Sequence, residues 1–125
     1  MVKAKLKAIK WFPDVEGQDY LAAQSYLSIL FKEARVARII AKFKRASIVQ
    51  FQAKDIFRAS QLPVLGVGNS HVEMDSKRIR QGQSLSPLLL LRDKRNGKVV
   101  IADGYHRMCA IYEVNEDAWI RCKII

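Results

Sequence analysis

Apolar and polar positions along the chain recur with short periods that divide it into small elements. Residues 2–8 place Val2, Ala4, Leu6 and Ala8 on one side and Lys3, Lys5 and Lys7 on the other. That is the period of a half-exposed strand, with lysines suited to an edge. Trp11-Phe12-Pro13-Asp14 ends it, and Pro13 and Gly17 bracket a loop. Over 18–31, Tyr20, Ala23, Leu27 and Leu30 fall at helical spacing, as do Val36, Ile39, Ile40 and Phe43 over 33–45. Residues 48–52 predict a short strand. Residues 54–60 predict one or two helical turns, with Asp55 and Arg58 as an i,i+3 ion pair. The breaker-rich 62–69 reads as loop, and 74–80 as a short helix that Gly82 stops. The continuous apolar run at 88–92 predicts a buried strand. Asn96-Gly97 then turns the chain into a returning strand at 98–102. A helix follows over 104–113, and 119–125 alternates Ile120, Cys122 and Ile124 against Trp119, Arg121 and Lys123 as a closing strand.

The order of these elements predicts an α+β fold, a small mixed sheet with helices packed around it, and 125 residues suit one domain. Half the residues are hydrophobic, enough to offset chain entropy. The formal charge is +10, with 12 Lys/Arg against 5 Asp/Glu in residues 1–58 and 10 against 7 in residues 59–125. Such a balance favours polyanions without choosing among them. Arg35, Arg38, Lys42 and Arg45 form a stripe on the second helix, either a phosphate-contacting surface or a solvated face. Cys109 and Cys122 have neither CxxC nor metal spacing and read as reduced core thiols. No apolar run exceeds five residues, and the lysine-rich start lacks a signal peptide's apolar region. A cytoplasmic protein without a membrane span is expected.

The chemistry concentrates where Val99-Val100-Ile101-Ala102 ends at Asp103-Gly104-Tyr105-His106-Arg107. A strand, a tight turn and a helix start there, and a helix start offers free N–H groups and a positive dipole end to anions. Tyr105, Met108, Cys109 and Tyr112 form the core stripe of this helix, so His106 and Arg107 project off it. Gly104 admits close backbone approach, Arg107 can fork onto phosphate, and His106 can donate to phosphate or exchange a proton. Asp103 can hold a divalent metal or, equally, cap the helix. Arg107 can instead pair with Glu113 or Asp117 on the surface. His71 lies in Asn69-Ser70-His71-Val72-Glu73-Met74-Asp75, either an exposed loop residue or a member of the same site with Glu73 or Asp75. Trp11 and Trp119 can stack on a base but more simply pack at core or edge.

Asp103-Gly104-Tyr105-His106-Arg107-Met108-Cys109-Ala110 resembles the Gly-x-[His/Arg]-Arg-x-x-Ala signature of the ParB/sulfiredoxin-like superfamily. Leu85-Ser86-Pro87-Leu88-Leu89-Leu90-Leu91 resembles the strand that precedes that signature in ParB N-terminal domains. The resemblance spans residues 46–125, leaving 1–45 as an N-terminal strand and helical pair outside it. It implies a nucleotide-phosphate-binding domain, with CTP as in ParB-type proteins or ATP/ADP as in the kinase-like members. It also implies Mg²⁺ and an NTP hydrolase or phosphotransferase activity. Gly104, Tyr105, His106 and Arg107 would cradle phosphate, Asp103, His106 and Arg107 would carry catalysis, and Asp103 would position the metal. Tyr105 stands where sulfiredoxins carry a reactive Cys, which argues against sulfinic acid reduction. With the chain ending at Ile125, no helix-turn-helix domain is expected. One alternative is a nucleic-acid-binding or nuclease-like module that contacts DNA through Arg35, Arg38, Lys42 and Arg45. Another is a non-catalytic partner protein. The sequence does not specify an oligomeric state.

Overall fold

A computed structural model describes residues 8–66 and 68–125. The strand expected over 2–8 lies almost wholly outside them. In chain order the elements are β1 (Lys10–Trp11), α1 (Gly17–Leu30), α2 (Glu33–Arg45), β2 (Val49–Gln52), α3 (Ala53–Ser60), α4 (Ser70–Arg80), β3 (Ser84–Leu85), β4 (Leu88–Asp93), β5 (Lys98–Asp103), α5 (Tyr105–Val114) and β6 (Trp119–Ile124). The fold is α+β, with one sheet ordered β2-β6-β4-β5 and a parallel two-stranded pair, β1-β3.

The sheet is mixed. β4 and β5 form the antiparallel hairpin that Asn96-Gly97 predicts, with Gly97 at φ 62° in its turn. β6 runs antiparallel to β2 and parallel to β4, so the last strand enters between them. Alternation along β4 feeds two cores. Leu88 and Leu90 join Ile101, Met108, Ile111 and Ile120 under α3, α4 and α5, while Leu89 joins Ala102, Leu27, Val36 and Phe43 under α1 and α2. The sheet is therefore covered on both faces, which is why β4 reads as an unbroken apolar run. The N-terminal helical pair closes the second face.

Two features aim the chain at the site. A bulge between Leu89 and Leu90 shifts the β4–β5 register just before Asp103, and such an extra residue re-aims the side chains beyond it. Gly104 then adopts φ 109°. A Cβ there would stand 2.6 Å from Leu88 Cγ and 2.9 Å from an Arg107 Nη.

Three expectations about individual elements need correction. The helix over 74–80 starts four residues earlier, at Ser70, because the Asn69 side chain accepts from the His71 and Val72 N–H groups at 3.0 and 3.2 Å. In α5 the fully buried residues are Met108, Cys109, Ala110 and Ile111. Tyr105 and Tyr112 flank that face half-buried, because α3, α4 and β4 surround it more widely than one stripe. In α3, Lys54 rather than Asp55 makes the ion pair, to Asp117 at 2.7 Å.

Candidate functional site

Helices α4 and α5 begin side by side. His71 sits in the first turn of α4 and His106 in the first turn of α5, with ring centroids 4.8 Å apart. Between the two turns lies a polar pocket of about 200 Å³. His71, Met74, Asp75 and Arg78 line it from α4, and the run from Asp103 to Arg107 lines it from the strand–helix junction. His71 is exposed, as one reading expected, but it lies in a helix rather than a loop and its ring rests beside that of His106. Asp75 joins the pocket, whereas Glu73 turns to Arg80 at 3.4 Å.

The start of α5 has no side-chain cap. Gly104 is its N-cap residue, and the first helical bond runs from the Met108 N–H to the Gly104 carbonyl at 2.9 Å. The N–H groups of Tyr105, His106 and Arg107 precede that bond and have no intrahelical acceptor. Asp103 does not cap them. It ends β5, and its Oδ2 accepts from Arg107 Nη2 at 3.0 Å. The Tyr105 hydroxyl donates to the Pro63 carbonyl, tethering the 62–66 loop, so its N–H is what Tyr105 can offer a ligand.

Arg107 is not a surface residue paired with Glu113 or Asp117. It lies between Asp103 and the buried Asp19 of α1, with Nη1 3.3 Å from Asp19 Oδ2. That second contact is close but off the hydrogen-bonding direction, which leaves Asp19 Oδ2 without a hydrogen-bond partner, and Arg107 Nε is buried without one as well. A guanidinium has five N–H donors; Arg107 lines the pocket, and with its Nε buried, the Nη hydrogens that the carboxylates leave free are what it can offer there. Asp19 is the site residue that sequence reasoning missed. A signal was present, because Asp19, Ala23 and Leu27 stand at i, i+4 and i+8 on the buried stripe of α1. An acid at a core position needs a partner.

Burial and charge tune the acids and bases. Burial pushes Asp103 up to about 6 against the pull of Arg107, and the neighbouring Asp19 carboxylate adds to the rise. Asp75 is also raised by burial, with Arg107, Arg78 and both histidines opposing. His106 is lowered, first by burial and then by His71. It is therefore the neutral, proton-accepting imidazole at neutral pH.

Among the described residues no three His, Cys, Asp or Glu side chains converge as a metal site. Asp103 and Asp75 each already give one oxygen to an arginine. These residues do not fit a protein-held Mg²⁺ at Asp103. Arg35, Arg38, Lys42 and Arg45 are all exposed on α2 and none lines the pocket. Cys109 and Cys122 are buried free thiols, and burial raises Cys122 to about 12. Trp11 packs partly buried against the first core, and Trp119 is exposed on β6. Among the described residues no helix is long and apolar enough to cross a membrane. Compared with protein-family models, curated proteins and solved structures, the chain matches none.

Proposed function

We propose that this domain binds a nucleotide through its phosphates at the start of α5, with His71 and His106 moving protons in hydrolysis of the phosphate chain. The carrying observation is the convergence of two helix starts, each delivering a histidine, on a polar pocket whose α5 amides are uncapped. Helix starts favour anions. The Tyr105, His106 and Arg107 amides and the spare Arg107 donors would take phosphate oxygens. Neutral His106 would accept a proton from attacking water, and His71 would protonate the departing phosphate oxygen. The resemblance of Gly104-Tyr105-His106-Arg107 to ParB/sulfiredoxin-like signatures supports the same ligand class. Any Mg²⁺ would arrive on the nucleotide's own phosphates.

Arg107→Ala is a poor probe, because it would strip Asp19 and Asp103 of their cation and unfold the site. His106→Gln and His71→Gln suit better, since neither histidine is fully buried. Calorimetry with CTP, ATP and ADP, with and without Mg²⁺, should give binding to the wild type. Each variant should weaken it by about tenfold or less, while any hydrolysis falls by roughly 10²-fold. Absence of binding by all three nucleotides and by inorganic phosphate would overturn the reading.

A second reading, contact with a nucleic-acid backbone, has its own support. Four cations stand exposed along one helix that is otherwise uninvolved in the pocket.

A further inference from the structure

The sheet's other end holds a second cavity. β4 and β5 have six residues each, whereas α3 above them has eight. At helical and strand rises these are about 12 Å of helix over roughly 20 Å of strand. The uncovered end, near the β4–β5 turn, forms a cavity of about 400 Å³. Phe51, Ile56, Leu90, Val99 and Ile124 give it walls from α3 and all four strands of the sheet. Its lining is predominantly apolar, unlike the pocket at Asp103.

The rim carries an uneven charge. Arg92, Lys94 and Lys98 stand on it, and among the described residues none of them makes an ion pair. Two acids share the rim, Asp55 and Asp93. Asp93 is occupied by the turn, accepting from the Asn96 Nδ2 at 2.8 Å and its backbone N–H at 3.3 Å. Those neutral donors leave Asp93 charged, and Lys98 attracts it, so the mouth carries three cations against two acids, a small positive excess. An apolar chamber of this size with a few charged groups at one end has the design of a small-molecule site.

We propose that this cavity binds a small amphiphilic acid, an alkyl or aryl carboxylate. Its apolar body lies against Phe51, Leu90, Val99 and Ile124, and its carboxylate lies among Arg92, Lys94 and Lys98. The apolar lining disfavours a nucleotide's sugar and phosphates, and the rim disfavours a cationic amphiphile. The site is independent of the one at His71 and His106.

Titration of the full chain with octanoate, 1-octanol and octylamine, followed by amide and methyl NMR and by calorimetry, tests this. Octanoate should bind with shifts centred on Phe51, Leu90, Val99 and Ile124, and about tenfold or more tighter than octylamine. The exposed double change Lys94→Glu/Lys98→Glu should weaken octanoate by about tenfold and leave octanol unchanged. Ala59→Trp, at the cavity's lip on α3, should weaken both. Equal binding of octylamine, shifts away from these residues, or no binding at millimolar concentration overturns the proposal. So does attachment to anionic vesicles in place of free octanoate. Titration with inorganic phosphate in parallel keeps the outcomes separate, because its shifts should fall at His71 and His106 whatever octanoate does.

Discussion

Arg107 works between two acids, but burial, against the pull of that guanidinium, is what sets how Asp103 titrates. The folded protein holds the Asp103 proton up to about pH 6, against an ordinary carboxylate value of 3.8. The folded state therefore binds more protons than the unfolded chain between these values, and unfolding becomes easier as pH rises through this window. Well below pH 3.8 both states are protonated at this group, and well above pH 6 both are ionised, so the dependence flattens at each end. His106 acts in the opposite sense. Its value lies below that of an ordinary imidazole, so charging it favours the unfolded chain and its contribution to stability grows as pH rises. Asp75, also raised, shares the sense of Asp103. The difference between wild type and Asp103→Asn isolates the first effect. Urea unfolding from pH 4 to 7 should show wild-type stability losing ground relative to Asp103→Asn, by an amount on the order of 1–3 kcal/mol. Parallel pH profiles would show that Asp103 ionises in the folded state as it does in the unfolded one.

At the scale of elements, the strand–turn–helix from β5 into α5 is the junction on which the site rests. Gly104 carries two demands at once, a left-handed backbone and a hydrogen where a Cβ would strike Leu88 and Arg107. Gly104→Ala should therefore cost about 2–4 kcal/mol, the sum of positive-φ strain and a clash with a fully buried leucine. A urea midpoint within experimental error of wild type would contradict this. This junction was legible because strand, Asp-Gly and helix follow one another in ten residues. The hairpin was legible from Asn96-Gly97, and α1 and α2 from their apolar spacing. The start of α4 was not, because Gly66, Gly68 and Asn69 read together as a loop. Asn69 is instead the cap, and its side chain extends the helix back to His71. Had Asn69 been weighed as an N-cap, His71 would have been placed in the first turn of a helix, as His106 is. The pairing of the two first turns and the reach of Asp19 to Arg107 join residues 35 and 88 positions apart. No local pattern encodes that separation.

Across the whole molecule, the sheet divides the chemistry from the charge. The polar pocket lies at the α4–α5 junction, while the layer formed by α1 and α2 covers the other sheet face and carries Arg35, Arg38, Lys42 and Arg45 in solvent. Arg35 also rests on the Phe31 ring, 4.2 Å from its centroid, so its removal would disturb packing as well as charge. Arg38, Lys42 and Arg45 are therefore the cleaner probes. If these three contact a nucleic-acid backbone, each neutralises one phosphate and releases its counterion. Replacing all three with Gln should then flatten the dependence of log affinity on log salt by about 0.9 per contact on a DNA duplex. Nucleotide affinity at the pocket should stay unchanged, because none of the stripe residues lines it. Anisotropy titrations of a labelled duplex at several salt concentrations, beside calorimetry with a nucleotide, measure both quantities on one protein. An unaltered salt slope would return the stripe to a solvated helix face. A lost slope with intact nucleotide binding would make this a two-sided domain, with a backbone-tracking helix layer on one face of the sheet and a phosphate pocket at the helix starts on the other.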